Sequence, residues 1–332
     1  MLNLLFDIMN KTFEVVTIES TKRCNLNCEH CYLGTELNKP DGLSTKDIKN
    51  ILEKLRYLNI KVIVFTGGEP FLRKDIIEII DYAKKLRFRD IRIMTNGILI
   101  DPKIIKFLKN SDIEVYISLY GHCARIHEKI TRKKGSFRKT LNTIKKLKAK
   151  GVKIIINHLL LSINIENTVD MIVLSKILGV YVSFSYELLP RFGYKKYSKY
   201  AIKEEDIKII ESLKKSNKKF KLDNKHNLKK KKICRFLSKI FAINSEGFII
   251  PEVLFPMKIG DLKKESIHNI LNSKKYNDLK KYSLSDINKK CKSCKLLNFC
   301  TLCPAARYIF TGNYKNCSKE TLKKAKEIKA LA

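Results

Sequence analysis

Six short strand-like runs alternate with helical stretches between residues 13 and 190, and no other feature of the chain restricts its fold so tightly. The runs are FEVVTIES (13–20), KVIVFTG (61–67), DIRIMTN (90–96), IEVYISLY (113–120), VKIIINHLLL (152–161) and VYVSFSYELL (180–189). Each is rich in Val, Ile, Tyr or Phe and bounded by turn residues. Between them apolar residues recur at helical spacing. One helix takes Ser44 as its N-cap and runs through IKNILEKLRYL, another is DIIEIIDYAKKL, and a third, SFRKTLNTIKKLKAKG, is closed by Gly151. Strand–helix units in series predict parallel strands joined by right-handed crossovers. A barrel, a partial barrel and an open doubly wound sheet all satisfy this pattern, and in each of them function gathers at the C-terminal ends of the strands.

A chain of 332 residues exceeds the usual single domain, so one large unit and a smaller one are expected. The alternation stops after residue 190, which sets the boundaries: a lead-in at 1–12, the α/β unit at 13–190, and a polar, lysine-rich linker at 191–233 with one helix near 203–216. A cysteine-dense unit follows at 234–317, then a C-terminal helix at 318–332. The cysteine-dense unit shows a hairpin pattern in FAINSEGFIIPE and a helix near 266–281, and its short loops suggest organisation by metal.

The formal charge is +35, but the lysines are spread through every helical stretch, as in KDIKNILEKLRYL. That distribution describes solvated helix faces. No arginine-rich arm or aromatic-interleaved strand pair suggests base stacking, so nucleic acid is not an expected partner. The run NLKKKKIC (227–234) could still attract an acidic one. No apolar run approaches the roughly 20 residues that span a bilayer. MLNLLFDIMNKTF lacks a basic n-region and a small-residue cleavage site, so no signal peptide and a cytoplasmic location are expected. Ten cysteines in such a compartment indicate metal or redox chemistry rather than disulfides.

Three of them, Cys24, Cys28 and Cys31, fall within eight residues in TKRCNLNCEHCYLG, directly after the first strand run. Three local thiolates suit a cubane [4Fe–4S] cluster with one iron left open, although a zinc site with a remote fourth ligand uses the same residues. The second strand run ends in TGGEP, where Gly67 and Gly68 would bring backbone polar groups close to a ligand and Glu69 would accept from an ammonium group. Alone, such a sequence is only a tight turn. The third run ends in TNG, with Asn96, and the fourth in SLYG, with Ser118.

Together, Cys24, Cys28, Cys31 and the Gly67–Pro70 turn resemble the radical S-adenosylmethionine (SAM) superfamily over residues 13–190. The resemblance implies a partial (β/α)6 TIM-like barrel in which the open iron of the cluster chelates the amino and carboxylate groups of SAM. It implies that Gly67, Gly68 and Glu69, followed by Pro70, hold the methionine amino group and that His30 faces the adenine. Asn96 and Ser118 would lie near the ribose or methionine, and Arg132 would pair with the carboxylate. Asn164 and Leu189 are weaker candidates for ribose and adenine. Asn96, Ser118 and Arg132 read equally well as turn or surface residues.

Cys291, Cys294, Cys300, Cys303 and Cys317, with Cys234 upstream, are similar to the SPASM extension that carries auxiliary iron–sulfur clusters, although a zinc ribbon looks alike. The resemblance implies one complete auxiliary [4Fe–4S] cluster on Cys291, Cys294, Cys300 and Cys317. A second would use Cys234 and Cys303, but Glu252 stands where a further cysteine is expected, so the second cluster is left open. Cys123, in YGHCARIHEK, belongs to no set and reads first as an inert thiol, with substrate contact as the alternative.

The resemblance implies an enzyme that reductively cleaves SAM to a 5′-deoxyadenosyl radical, which abstracts hydrogen from its substrate. Ferredoxin or flavodoxin is the implied reductant, and the first substrate reading is a ribosomally made peptide undergoing cross-linking or other oxidative maturation. About a dozen residues precede the first strand, so a separate leader-binding protein, or the basic linker, would recognise the precursor. The alternatives are a small metabolite or tetrapyrrole, or an enzyme side chain as in sulfatase maturation. Outside enzymes, an iron–sulfur electron carrier or a nucleic-acid-binding protein remains, but a carrier has no use for the Gly67–Pro70 turn.

Overall fold

The Val- and Ile-rich runs form six parallel strands in sequence order: β1 (Val15–Glu19), β2 (Val62–Thr66), β3 (Asp90–Thr95), β4 (Glu114–Ser118), β5 (Ile154–Leu159) and β6 (Tyr181–Ser185). The computed structural model describes residues 14–186, 188–190, 192–194, 198–202, 205–206, 209, 239–282, 286–287, 289–300 and 303–329. Each strand hydrogen-bonds the next, from Val16↔Ile63 between β1 and β2 to Ile156↔Val182 between β5 and β6. The connections are α1 (Thr45–Tyr57), α2 (Ile76–Lys85), α3 (Pro102–Ser111), α4 (Ala124–Thr131), α5 (Ser136–Ala149) and α6 (Thr168–Leu178). The result is the partial (β/α)6 arrangement expected from the sequence.

Strand alternation sorts the side chains. Ile18, Ile63, Phe65, Ile93, Val115, Ile117 and Ile156 are fully buried in one core with Ile48, Leu52, Ile79 and Ile144 of the helices. Thr17, Arg92, Tyr116, Ser118 and Asn157 lie on the other face, half-buried. A register slip of one residue would exchange the two sets, and at ~0.8 kcal/mol per buried CH2 the core fixes the pairing.

The helix boundaries follow local chemistry. Ser44 Oγ accepts the Asp47 N–H at 3.2 Å while the Asp47 carboxylate accepts the Ser44 N–H at 2.8 Å, closing a capping box on α1. The helix expected at 266–281 is divided into α7 (Ile267–Asn272) and α8 (Lys274–Lys281). Ser273 breaks it because its hydroxyl accepts the Tyr276 N–H at 3.2 Å, the local bond that favours a new helix start.

The sheet continues past the barrel. The hairpin expected in FAINSEGFIIPE is β7 (Ile240–Ile243) and β8 (Phe248–Ile250), followed by β9 (Gly260–Asp261). Because β7 pairs parallel with β1, a single sheet runs β6-β5-β4-β3-β2-β1-β7-β8-β9 through both expected units. The remaining helices are α9 (Lys289–Lys292), α10 (Pro304–Thr311) and α11 (Lys319–Lys329). The lead-in, most of the linker including all but residues 205, 206 and 209 of its expected helix, and Cys234 lie outside the described residues. Among the described residues no helix is long and apolar enough to cross a membrane.

Lys22, just beyond β1 and only 4% exposed, fastens the two halves of the sheet. Its ammonium bonds Glu36, at 2.9 Å, and Glu246 on the turn between β7 and β8. Burial would raise the Glu246 carboxyl, but hydrogen bonds and charge from Lys22 and Lys258 overcome it and hold the group down at about 2. A depressed carboxyl stabilises the fold fully above its unfolded value of 4.5 and loses that contribution as pH falls toward 2. Glu246→Gln should therefore lower the stability of the metal-free protein at pH 7 by about 1 kcal/mol, after allowance for solvent screening. Urea titrations should also show a shallower loss of stability for the variant below pH 4.5.

Candidate active site

The loop that follows β1 is held by the end of β2. Ser20 donates to Thr66 O through its N–H and its hydroxyl, the Gly68 N–H donates to Thr21 O at 2.8 Å, and the Glu69 N–H donates to Arg23 O at 2.8 Å. A Cβ on Gly67 would lie 2.3 Å from Thr21 O, and one on Gly68 would lie 2.3 Å from Arg23 O. Glycine is needed there for this close backbone approach, and the Gly67 φ of 150° adds to the requirement. The N–H groups of Gly68 and Glu69 are thus directed to the loop. Arg73, which sequence reasoning passed over, is buried and donates to Ser20 O at 3.0 Å and Leu43 O at 2.9 Å. Asn38 and Asp41 were also passed over. Asn38 Oδ1 accepts the Cys24 N–H, and Asp41 accepts from the Thr21 hydroxyl and the Lys22 N–H.

On this backbone the three thiols converge. Burial pushes Cys24 up to about 12, against the Leu26 N–H that favours its thiolate, with the Glu69 and Cys31 charges adding to the rise. Burial also carries Cys28 well above the ordinary thiol range, helped by the charges of Cys31 and Cys24. Three half-buried thiols, two of them held protonated by burial and by their neighbours' charge, form a donor set that a cationic iron centre would satisfy, releasing their protons. Asn96 Nδ2 lies 3.9 Å from Cys24 Sγ and donates to Asn25 Oδ1 at 2.7 Å. Among the described residues no three such side chains close in tightly enough for a single metal ion. A cubane, in which each thiolate takes a different iron, asks for a wider spread.

The neighbouring strand ends carry the other candidates. Glu69 is fully buried and accepts from Thr95 Oγ1 and the Asn96 N–H, both at 2.8 Å, and from the Phe71 N–H at 3.2 Å. Burial outweighs these donors and raises its carboxyl to about 7. Pro70 begins the short turn that follows and is buried. Ser118 hydrogen-bonds Tyr120, and the His30 ring stands edge-on to Tyr120 at 4.5 Å between centroids. Arg132 ion-pairs with Glu29 of the cysteine loop, which also bonds the end of α4 through Asn27 N–H→Thr131 O and Glu29 N–H→Ile130 O. Asn164 is buried, with its amide on the carbonyls of Tyr120 and Leu159 and its oxygen on the Leu161 N–H. Leu189 packs against the main core, and Cys123 stands at the start of α4, half-buried beside Ile126 and Leu161. Between loop and hairpin a cavity of about 360 Å³ is lined by Glu19, Lys22, Leu33, Glu246, Ile250 and Tyr308, among others.

A second thiol cluster forms near the C-terminus. Burial pushes Cys317 up to about 11, with the charges of Cys291, Cys300 and Cys294 adding to it. Those are the four residues assigned to one auxiliary cluster. Cys303 begins α10 and packs against the main core, and Glu252 forms a bridge with Phe255.

The family model of the radical SAM superfamily matches residues 18–174, and that of the SPASM iron–sulfur cluster-binding domain matches residues 234–295. The antilisterial bacteriocin subtilosin biosynthesis protein AlbA of Bacillus subtilis is 32% identical over 179 residues, 53% of this chain and 40% of its own. The AdoMet-dependent heme synthase of Methanosarcina barkeri is 24% identical over 335 aligned positions, 92% of this chain and 95% of its own. The chain spans about two fifths of the length of the first curated relatives it matches. Streptococcus suis SuiB bound to precursor peptide SuiA shares the fold, with a TM-score of 0.78 and 17% identity over 96% of this chain and 79% of that one.

Gly68→Ala should force the loop and turn apart, costing about 2–3 kcal/mol in urea unfolding and lowering iron uptake by the loop. The anaerobically reconstituted chain should hold about eight irons if one auxiliary cluster accompanies the loop cluster, and about twelve if two do.

Proposed function

We propose that this chain, which belongs to the radical SAM superfamily and carries a SPASM iron–sulfur domain, is an enzyme that cleaves SAM reductively and oxidatively matures a ribosomally made peptide. The observation that carries the first half is the convergence of Cys24, Cys28 and Cys31 on a loop fastened to the ends of β2 and β3. When bound, the [4Fe–4S] cluster and SAM would supply the hydrogen-abstracting chemistry. The protein supplies placement. The three thiolates hold the cluster, while the carbonyls of Gly67 and Gly68 and the Glu69 carboxylate offer acceptors to an ammonium group. Asn96 steadies the first sulfur. His30, braced by Tyr120, and Ser118 line the adjoining strand ends for the adenosine part. Arg132 and Asn164 are already engaged, by Glu29 and by backbone carbonyls, so we assign them to bracing the site.

The peptide reading is supported by the relative named for bacteriocin biosynthesis. A tetrapyrrole substrate is the second reading, because the relative aligned over nearly its whole length is a heme synthase. Low-potential ferredoxin or flavodoxin would be the reductant, and the basic surface would draw in an acidic precursor, alone or with a leader-binding protein.

Anaerobic incubation of the reconstituted protein with SAM and dithionite should release 5′-deoxyadenosine, and Cys24→Ala, Cys28→Ala or Cys31→Ala should abolish it. Adding a precursor peptide encoded beside the gene should accelerate release and leave the peptide lighter by hydrogen. Acceleration by an iron porphyrinogen-derived substrate, with no change to any peptide, would favour the second reading. No 5′-deoxyadenosine under any condition, despite a full iron load, would refute both.

A further inference from the structure

Arg307 is a cation sealed among the C-terminal thiols. It lies on α10, is 0% exposed, and is the bulkiest fully buried side chain among the described residues. One Nη2–H points to Cys291 Sγ at 3.8 Å, and the guanidinium also hydrogen-bonds Cys300. Nη1 donates to Lys315 O at 3.2 Å and to the Tyr282 hydroxyl at 3.5 Å, while the buried Nε–H has no hydrogen-bond partner. The groups that act on it most strongly are the Tyr282 hydroxyl and the Cys291 and Cys300 sulfurs, and none of these is a carboxylate. A buried cation without an anion is strongly unfavourable. An iron–sulfur cluster held by four thiolates carries net negative charge and would remove that cost.

We propose that Arg307 is the built-in counter-ion of an auxiliary cluster on Cys291, Cys294, Cys300 and Cys317, and that it raises the reduction potential of that cluster. The inference rests on the auxiliary-cluster reading given above. One-electron reduction makes the cluster more negative, so a fixed positive charge and N–H donors at its sulfurs stabilise the reduced form more than the oxidised form. Arg307 is a positioning residue in this role, acting through the cluster and not on substrate. A higher potential suits an acceptor for the electron left behind when a substrate radical becomes a closed-shell product.

The test uses full-length protein carrying Cys24→Ala, Cys28→Ala and Cys31→Ala together with Cys234→Ala and Cys303→Ala, so that only the cluster on Cys291, Cys294, Cys300 and Cys317 is read. Arg307→Lys, Arg307→Gln and Arg307→Met are reconstituted alongside it, iron is counted, and the midpoint is found by dithionite titration followed by electron paramagnetic resonance. The neutral variants should shift the reduced-to-oxidised ratio at fixed poise at least tenfold toward oxidised, which is about 59 mV for one electron. Arg307→Lys should stay within threefold of the parent. Neutral variants that take up no iron while Arg307→Lys does would likewise support the counter-ion. A neutral variant with full iron and an unchanged midpoint would overturn it, as would loss of iron in all three variants. If the parent with Arg307 intact binds no iron, the auxiliary-cluster reading itself fails and this inference goes with it.

Discussion

The backbone contact between the cysteine loop and the Gly67–Gly68 turn is the interaction on which the candidate site depends. Two N–H···O bonds of 2.8 Å, Gly68→Thr21 and Glu69→Arg23, lock the loop after β1 to the turn after β2. They form only because neither glycine carries a Cβ. Once the loop is fixed there, Glu69 is forced inward, where Thr95 and Asn96 donate to its carboxylate and join the end of β3. Asn96 in turn reaches Asn25 on the cysteine loop. The cycle closes through the buried side chains of Glu69, Thr95 and Asn96, so the cysteine loop and the strand ends are positioned together.

Charge is used in two distinct ways. Most of the +35 formal charge belongs to lysines spread over helix faces, where water screens it and it governs solubility and long-range attraction. Lys22, Arg73 and Arg307 are exceptions, and all three are buried where elements must meet. Lys22 has two carboxylates, Glu36 and Glu246, and fastens the barrel edge to the β7–β8 turn. Arg307 faces sulfur and phenol groups instead. The contrast in partners separates the Lys22 strap from the counter-ion role proposed for Arg307.

Much of the fold was legible because strand and helix periods are local properties. The six strand runs, the Ser44 cap and the hairpin near Gly247 all stand where the residue pattern places them, within a residue or two at each end except that the sixth strand stops at Ser185, four residues short of its run. The split between α7 and α8 was missed because Ser273 sits within an otherwise helical pattern and its cap is visible only once the chain turns. Arg73, Asn38, Asp41 and Tyr120 were missed for a related reason. Their partners lie far along the chain, and a polar residue after a strand gives no sign of which backbone groups it will meet.

The sequence by itself determined the alternating α/β pattern, the three-thiol loop at a strand end and the cysteine-dense C-terminal region, since each depends on residue type and short spacing. Only the tertiary structure decided that one sheet runs through both regions. It also showed that the glycine turn serves the loop through its N–H groups, that Arg132 and Asn164 already have partners, and that an arginine is enclosed with the C-terminal thiols. Those outcomes depend on which distant groups meet and on whether burial or hydrogen bonding prevails there, and neither is written in local spacing.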